Sequence, residues 1–197
     1  MANFFLLIST LFIQLLLSAQ EKPEGLFINS KAPDFKAIDQ NGKEIRLKDI
    51  LKDSVVVLIF YRGEWCPYCN KQLKKLEDSL QLIKEKGARL IAVTPERPEY
   101  ISKTIEKTKA SYPLIYDKDM KIMKAYAVAF EVDDRTVSRY KNADIDLATA
   151  NGQNEKVYLP VPAVYIISKK EGTITYRYFE FDYRKRVSVK EILDNLK

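Results

Sequence analysis

The stretch that most constrains this chain begins with an apolar block, Val55-Val56-Val57-Leu58-Ile59. It continues through Phe60-Tyr61-Arg62-Gly63-Glu64-Trp65 into Cys66-Pro67-Tyr68-Cys69, which holds both cysteines of the protein. A helical pattern follows, with Leu73, Leu76, Leu80 and Ile83 on one face. The apolar block reads as a strand buried on both faces, as central parallel strands are. The cysteines therefore stand where a buried strand hands over to a helix. Pro67 suits the first helical position, which needs no N–H and where φ is already set. Cys66 then lies at the helix N-terminus, where free N–H groups and the helix dipole favour a thiolate. Cys69 follows one turn later on the same face. The pair can cycle between dithiol and disulfide, with Cys66 expected as the exposed, low-pKa attacker and Cys69 as the shielded resolver.

Composition removes the competing chemistries. A zinc site needs about four Cys or His ligands, and the chain has two cysteines and no histidine, so no metal is expected. A structural staple closing so short a loop would contribute little. Without histidine, Cys–His and Ser–His catalysis are excluded, and proton transfer falls to water, carboxylates, Lys, Tyr or the thiols. The net charge of +6 is spread along the chain rather than gathered in a block, which argues for a solvated surface and against a nucleic-acid partner.

With 197 residues there is room for one domain with an ample core. Phe4 to Leu17 is mostly apolar and uncharged, and Ser18-Ala19-Gln20 follows before the charged Glu21-Lys22. As a helix it would span about 21 Å, short of the roughly 30 Å hydrocarbon core. Residues 1–19 thus read as a signal peptide cleaved near Ala19, with an uncleaved membrane anchor as the alternative. Either reading puts the domain outside the cytoplasmic membrane, periplasmic or secreted, in an oxidising space. Residues 20–30 read as a linker and 31–197 as the domain.

Along the domain, Lys31 to Asp39 and Ile45 to Leu47 flank an Asn41-Gly42 turn and predict a β-hairpin. A short helical segment, 47–51, leads to the strand 55–61, and the cysteine helix runs from Pro67 to about Lys86, before Gly87. Arg89 to Val93 is the next buried strand, completing a right-handed βαβ crossover. Thr94-Pro95-Glu96-Arg97-Pro98 forms a loop at its carboxyl end, where α/β proteins place their sites. Helix 98–110, strand 113–116 and helix 118–126 follow. Residues 128–158 are charged and rich in Asn and Asp, and read as an insertion with short helices at most. Residues 163–168 and 173–181 form a terminal strand hairpin, and 189–196 a closing helix.

Taken together, these landmarks resemble the peroxiredoxin-like branch of the thioredoxin superfamily, the AhpC/TSA family. The likeness rests on Ala32-Pro33-Asp34-Phe35, on Ala92-Val93-Thr94-Pro95-Glu96, and on Tyr112-Pro113-Leu114-Ile115-Tyr116-Asp117. It rests above all on Arg62-Gly63-Glu64-Trp65-Cys66-Pro67-Tyr68-Cys69, similar to one subgroup's Arg-Gly-x-Trp-Cys-Pro-Tyr-Cys signature, and on Leu159-Pro160-Val161-Pro162-Ala163. The resemblance implies a thioredoxin-like α/β fold: a central mixed sheet flanked by helices, an N-terminal hairpin, and an insertion before the cis-proline strand. Pro162 would be that cis-proline, with the Val161 backbone facing substrate. A proline marking the start of a strand is the plainer alternative.

The resemblance implies a redox enzyme without a cofactor, supported around the cysteines by Arg62, Trp65 and Pro67. Family members carry Pro-x-x-x-Thr/Ser-x-x-Cys, and this chain departs from it. Counting back from Cys66, Gly63 and Ile59 fill the hydroxyl and proline positions; counting back from Cys69, Cys66 and Arg62 do. The expected activity is thiol-dependent reduction of hydroperoxides, with Cys66 attacking and Cys69 resolving. Reduction of protein disulfides is the alternative, and a non-catalytic binding module a third reading. A thioredoxin-like or membrane electron donor would close the cycle. Arg62, Arg135 and Arg139 are candidates for a peroxide-polarising arginine, each also readable as a surface charge.

Overall fold

In the computed structural model, which describes residues 22–196, the predicted leader 1–19 lies outside the described residues. Lys22 to Ser30, the described part of the expected linker, lies against the body. Gly25 N–H donates to Ala127 O (2.9 Å), Leu26 N–H to the Tyr165 hydroxyl (3.0 Å), and Asn29 N–H to Ile174 O (2.9 Å). The predicted hairpin follows as β1 (Lys36–Ile38) and β2 (Glu44–Arg46), with Ala37 opposite Ile45. Its turn works because Gly42 takes φ +77° and Asp39 accepts the N–H groups of Asn41 and Lys43.

Next come α1 (Leu47–Ile50), β3 (Val55–Phe60), α2 (Pro67–Asp78), α3 (Leu80–Glu85) and β4 (Ala88–Thr94). The single helix expected over 67–86 is broken at Ser79, whose φ and ψ of −111° and 9° leave the helical region. Asp78 and Ser79 have side chains that compete for backbone hydrogen bonds, which favours such breaks. The apolar face survives, because Leu73, Leu76, Leu80 and Ile83 are all buried. The chain continues through α4 (Pro98–Thr108), β5 (Leu114–Tyr116) and α5 (Lys121–Ala125).

Residues 128–158 are more structured than their composition suggests. They hold β6 (Ala129–Glu131), α6 (Asp134–Lys141), α7 (Leu147–Asn151) and, at their end, β7 (Tyr158–Pro160), which pairs antiparallel with β6. Asp133 and Asp146 cap the two helices, accepting from the N–H groups of Thr136 and Thr149. The chain closes with β8 (Ala163–Ile167), β9 (Ile174–Phe179) and α8 (Val189–Asn195).

The main sheet has the order β5-β4-β3-β8-β9, parallel from β3 to β5 and antiparallel across β8 and β9. It is the expected central mixed sheet flanked by helices. Strand β3 lies at its centre and feeds both cores. Val57, Ile59 and Tyr61 join the layer of α2, α3, α4 and α8, while Val56, Leu58 and Phe60 join that of Met123, Tyr126 and Tyr165. Burying a side chain of this size contributes about 1.5–3 kcal/mol, so the strand that delivers the cysteines is among the most firmly held parts of the molecule.

The expected cis bond is not there: every described peptide bond is trans, Val161–Pro162 included. The trans form of an X-Pro bond is favoured by about 0.5–1 kcal/mol unless the surroundings oppose it. Here they do not. Val161 N–H donates to Val128 O (2.8 Å), and Pro162 O accepts from Glu180 N–H (3.2 Å), so an extended trans backbone satisfies both neighbours. Among the described residues, no helix is long and apolar enough to cross a membrane.

Candidate active site

Strand β3 ends at Phe60, and the chain turns through Arg62 and Gly63 to place Cys66 as the N-cap of α2, with Pro67 inside its first turn as expected. Cys69 N–H donates to Cys66 Sγ (3.4 Å), so the cap is the sulfur itself. The two sulfurs are not bonded to each other in this structure, and both cysteines are buried, with Cys66 1% and Cys69 0% exposed. The cap position was expected to leave Cys66 open to solvent. It does not, because the segment between β9 and α8 returns to the sulfurs and brings an arginine with it.

That arginine is Arg186. Its Nη2 donates to Cys69 Sγ at 3.2 Å and lies 4.0 Å from Cys66 Sγ. Its Nη1 is held by the carbonyls of Tyr183 and Lys185. Together with the hydrogen bond between the two sulfurs, this contact favours charge on Cys69, where Cys66 was expected to carry it. Cys66 donates its thiol hydrogen bond to Cys69 and is itself buried, and both effects push it above the usual thiol range. Burial alone would also raise Cys69. The proton of Cys66, the Arg186 charge and the Arg62 backbone N–H outweigh that and bring Cys69 down to about 6. The pair therefore titrates as a unit, and Arg186, nearer Cys69 Sγ than Cys66 Sγ, draws its first negative charge toward Cys69.

Arg62 is not a surface charge. It is 5% exposed and lies among three aromatic rings, with Cζ 4.7 Å from the Trp65 centroid, 5.7 Å from Tyr140 and 4.2 Å from Tyr183. Its Nη2 donates to the Tyr140 hydroxyl (2.5 Å), while Nε and Nη1 have no partner among the described residues. Tyr140 comes from α6 in the insertion, and its ring also meets Trp65 at 4.9 Å. Tyr183 comes from the C-terminal segment and packs edge-on against Tyr68. Arg135 and Arg139 are exposed, and Arg139 donates to Thr136 within its own helix.

Glu96, in the loop after β4, completes the surroundings. It is fully buried and accepts Glu64 N–H at 2.8 Å through Oε2, while Oε1 and the nearby Trp65 Nε1 have no partner among the described residues. Both crowd Gly63 so closely that a Cβ there would collide with them. Burial pushes the Glu96 carboxyl up to about 8. Val161 and Pro162 are buried beside the end of β3, since Ala163 pairs with Phe60. The Val161 N–H, expected to face substrate, is already engaged by Val128.

The structure thus gathers Arg62, Trp65, Cys66, Pro67 and Cys69 at one place and sets Val161 and Pro162 against the sheet beside it. Sequence reasoning missed Arg186, Tyr183, Tyr140 and Glu96. Glu96 had a signal, an acid at the carboxyl end of a buried strand. Arg186 had none, since 117 residues separate it from Cys69. Among the described residues, no group of His, Cys, Asp and Glu side chains is placed to hold a metal ion.

A dithiol at the start of a helix, on the carboxyl side of a mixed five-stranded sheet, defines a thioredoxin-like redox fold. The AhpC/TSA family profile matches residues 28–177, and the chain belongs to that family. Two curated relatives resemble it over part of their length. The thiol-disulfide oxidoreductase ResA of Bacillus cereus is 35% identical over 106 residues, covering 53% of this chain and 60% of ResA. Peroxiredoxin Bcp of Escherichia coli is 29% identical over 97 residues, covering 49% of this chain and 62% of Bcp. The chain thus spans about three fifths of the curated relatives it matches. Among solved structures, peroxidoxin BcpB from Mycobacterium tuberculosis superposes with a TM-score of 0.64 at 19% identity, covering 86% of this chain and 95% of that one.

Proposed function

We propose that this protein is a thiol redox enzyme that reduces hydroperoxides. The observation that carries the reading is Arg186 at 3.2 Å from Cys69 Sγ, holding a buried thiolate ready beside a second thiol. Two further features support it. Arg62 keeps two donors unpartnered inside an aromatic box, available to the charge that develops on a departing oxygen. The Val161 N–H, which an extended protein substrate would use, is already bonded to Val128 O.

Oxidation begins at Cys69. Its sulfur attacks the terminal peroxide oxygen, the O–O bond breaks, and the alkoxide leaves as the alcohol after taking a proton. Cys69 is then a sulfenic acid. The Cys66 sulfur attacks it, forming the Cys66–Cys69 disulfide and releasing water with the Cys66 proton. In sum, dithiol and hydroperoxide give disulfide, alcohol and water. This order reverses the roles first expected for the two cysteines. It also places Cys66 in the hydroxyl position of the family motif when counted back from Cys69.

A second reading, reduction of protein disulfides, draws on the intact C-x-x-C and the likeness to ResA. Cys66→Ser and Cys69→Ser variants treated with hydrogen peroxide, with sulfenic acid read by mass after trapping, test the order. Cys66→Ser is expected to form the sulfenic acid on Cys69, and Cys69→Ser to react far more slowly. The reverse pattern restores Cys66 as the attacker. Wild type that oxidises no faster than a free small thiol, yet reduces a protein disulfide readily, sinks the peroxidase reading.

A further inference from the structure

A groove of about 560 Å³ runs between the outer face of α2 and the segment that leads into α8. Lys71 and Lys75, one turn apart, line its helix side. Neither has an ion-pair partner among the described residues. The only acid in the lining, Asp78, is held by Lys74. Opposite stand Arg184, paired with Asp182 at 2.8 and 3.0 Å, and Arg186. The buried Leu76 and Val187 give the groove an apolar base. The buried sulfurs do not line the groove, but Arg186, which does, lies 3.2 Å from Cys69 Sγ and separates groove from sulfurs.

We infer that this groove takes the reductant of the Cys66–Cys69 disulfide, and that the reductant is a small thiol carrying carboxylates. The inference rests on the reading of the pair as a redox centre. Its volume is that of a small-molecule site, whereas a protein partner needs about 800 Å² of surface on each side. The two unpaired lysines match carboxylates, and the apolar base matches a short carbon skeleton.

The redox state of the pair strengthens this match at the stage where the reductant is needed. In the dithiol state the Cys69 thiolate neutralises Arg186. Once the disulfide forms, no thiolate remains, and Arg186 becomes an uncompensated cation at the end of a groove that already holds Lys71 and Lys75. An anionic thiol is drawn in at that stage. Its thiolate attacks one sulfur of the disulfide, giving a mixed disulfide and one protein thiolate. A second molecule attacks the bound reductant's sulfur, releasing a small-molecule disulfide and the second protein thiolate. The balance is one protein disulfide and two thiols giving one protein dithiol and one small disulfide. The returning thiolate again neutralises Arg186 and weakens the hold on the anion.

The test uses the full-length oxidised protein and three probes: mercaptosuccinate, 2-mercaptoethanol and cysteamine, which carry two negative charges, none and one positive charge beyond the thiol. Reduction rates are read by acid quench, alkylation and mass. The rate ratio of mercaptosuccinate to 2-mercaptoethanol is compared between proteins, so the intrinsic reactivity of each thiol cancels. In Lys71→Glu/Lys75→Glu this ratio is expected to fall about tenfold, and in Lys71→Gln/Lys75→Gln about threefold. The cysteamine ratio should move the opposite way. The control Lys52→Glu/Lys169→Glu carries the same charge change at the far end of β3 and β8, and should shift the ratio less than about twofold. Ratios that stay put in the groove variants, or that the control shifts equally, overturn the groove assignment alone. An oxidised protein that none of the three thiols reduces overturns the small-thiol reductant, and peroxide treatment that forms no Cys66–Cys69 disulfide by mass overturns the redox reading together with it.

Discussion

The arm β3–α2 and the segment Phe181–Ser188 meet at the same two sulfurs, yet they reach them by different physics. In the arm, everything that positions the cysteines lies within a few residues: a strand buried on both faces, a turn through Gly63, a proline in the first helical turn and a sulfur as the cap. In the segment, nothing local points to the site. Arg186 and Tyr183 arrive because β8 and β9 pair beside β3; Arg186 meets the thiols that the arm would otherwise present, and Tyr183 packs on Arg62 beside them. The arm supplies the reacting atoms. The segment decides which atom carries the charge.

The largest effect should come from the arm. Cys66→Ser and Cys69→Ser are each expected to abolish multiple turnover with hydrogen peroxide and a reducing thiol, measured as peroxide consumed. Sustained turnover by either variant would mean that one thiol suffices.

Arg62 belongs to the arm but is boxed by Tyr140 and Tyr183 from elsewhere, so it tests whether the two regions act together. Arg62→Lys should lower the rate of sulfenic acid formation by about 10²–10³, because Lys lacks the planar fork and its free donors. A loss below about threefold would make Arg62 a packing residue.

Arg186→Gln isolates the segment. Cys69 sits at about 6 with the arginine in place. Losing the Arg186 charge while the Cys66 hydrogen bond and the Arg62 N–H remain should raise Cys69 part of the way back, cut the thiolate fraction at pH 7 and slow oxidation several-fold. The wild-type rate should rise with pH through about 6 and then level, since the thiolate is the nucleophile. In Arg186→Gln the rise should move to higher pH. A profile left in place would assign the low value to the Cys66 hydrogen bond and the Arg62 N–H, and hence to the arm.

Glu96→Gln gives a smaller, pH-dependent effect on stability. The folded carboxyl titrates at about 8, above its ordinary value of 4.5. Between those values the folded protein holds a proton that the unfolded chain has lost, so stability should fall as pH rises across that window. Glu96→Gln should flatten this slope in denaturant unfolding at several pH values. An unchanged slope would show that Glu96 titrates normally.

What was legible in the sequence follows the same division. The strand–cysteine–helix junction, the first hairpin, the mixed sheet and the βαβ crossover all rest on periodicity and turn chemistry within short windows. The exposed Cys66 thiolate, the alternative reading of Arg62 as a surface charge and the cis Pro162 were inferred from the arm alone or from resemblance. The first two fail once distant segments fold back onto the arm. The third fails because trans backbone already satisfies Val161 and Pro162. The strands β6 and β7 were hidden by a charged, Asn- and Asp-rich composition. Tyr140 and Arg186 were invisible because tertiary packing, not spacing, brings them to the site.

The central claim is that the reduced pair holds one thiolate, placed by Arg186. It is tested most directly by titrating the ultraviolet absorbance of the thiolate in wild type, Arg186→Gln and the two cysteine variants. The expected result is one proton lost near pH 6 in wild type and the other only at much higher pH, with the first step moved upward in Arg186→Gln. Two thiols that titrate independently near the ordinary value, with no change on removing Arg186, would contradict it.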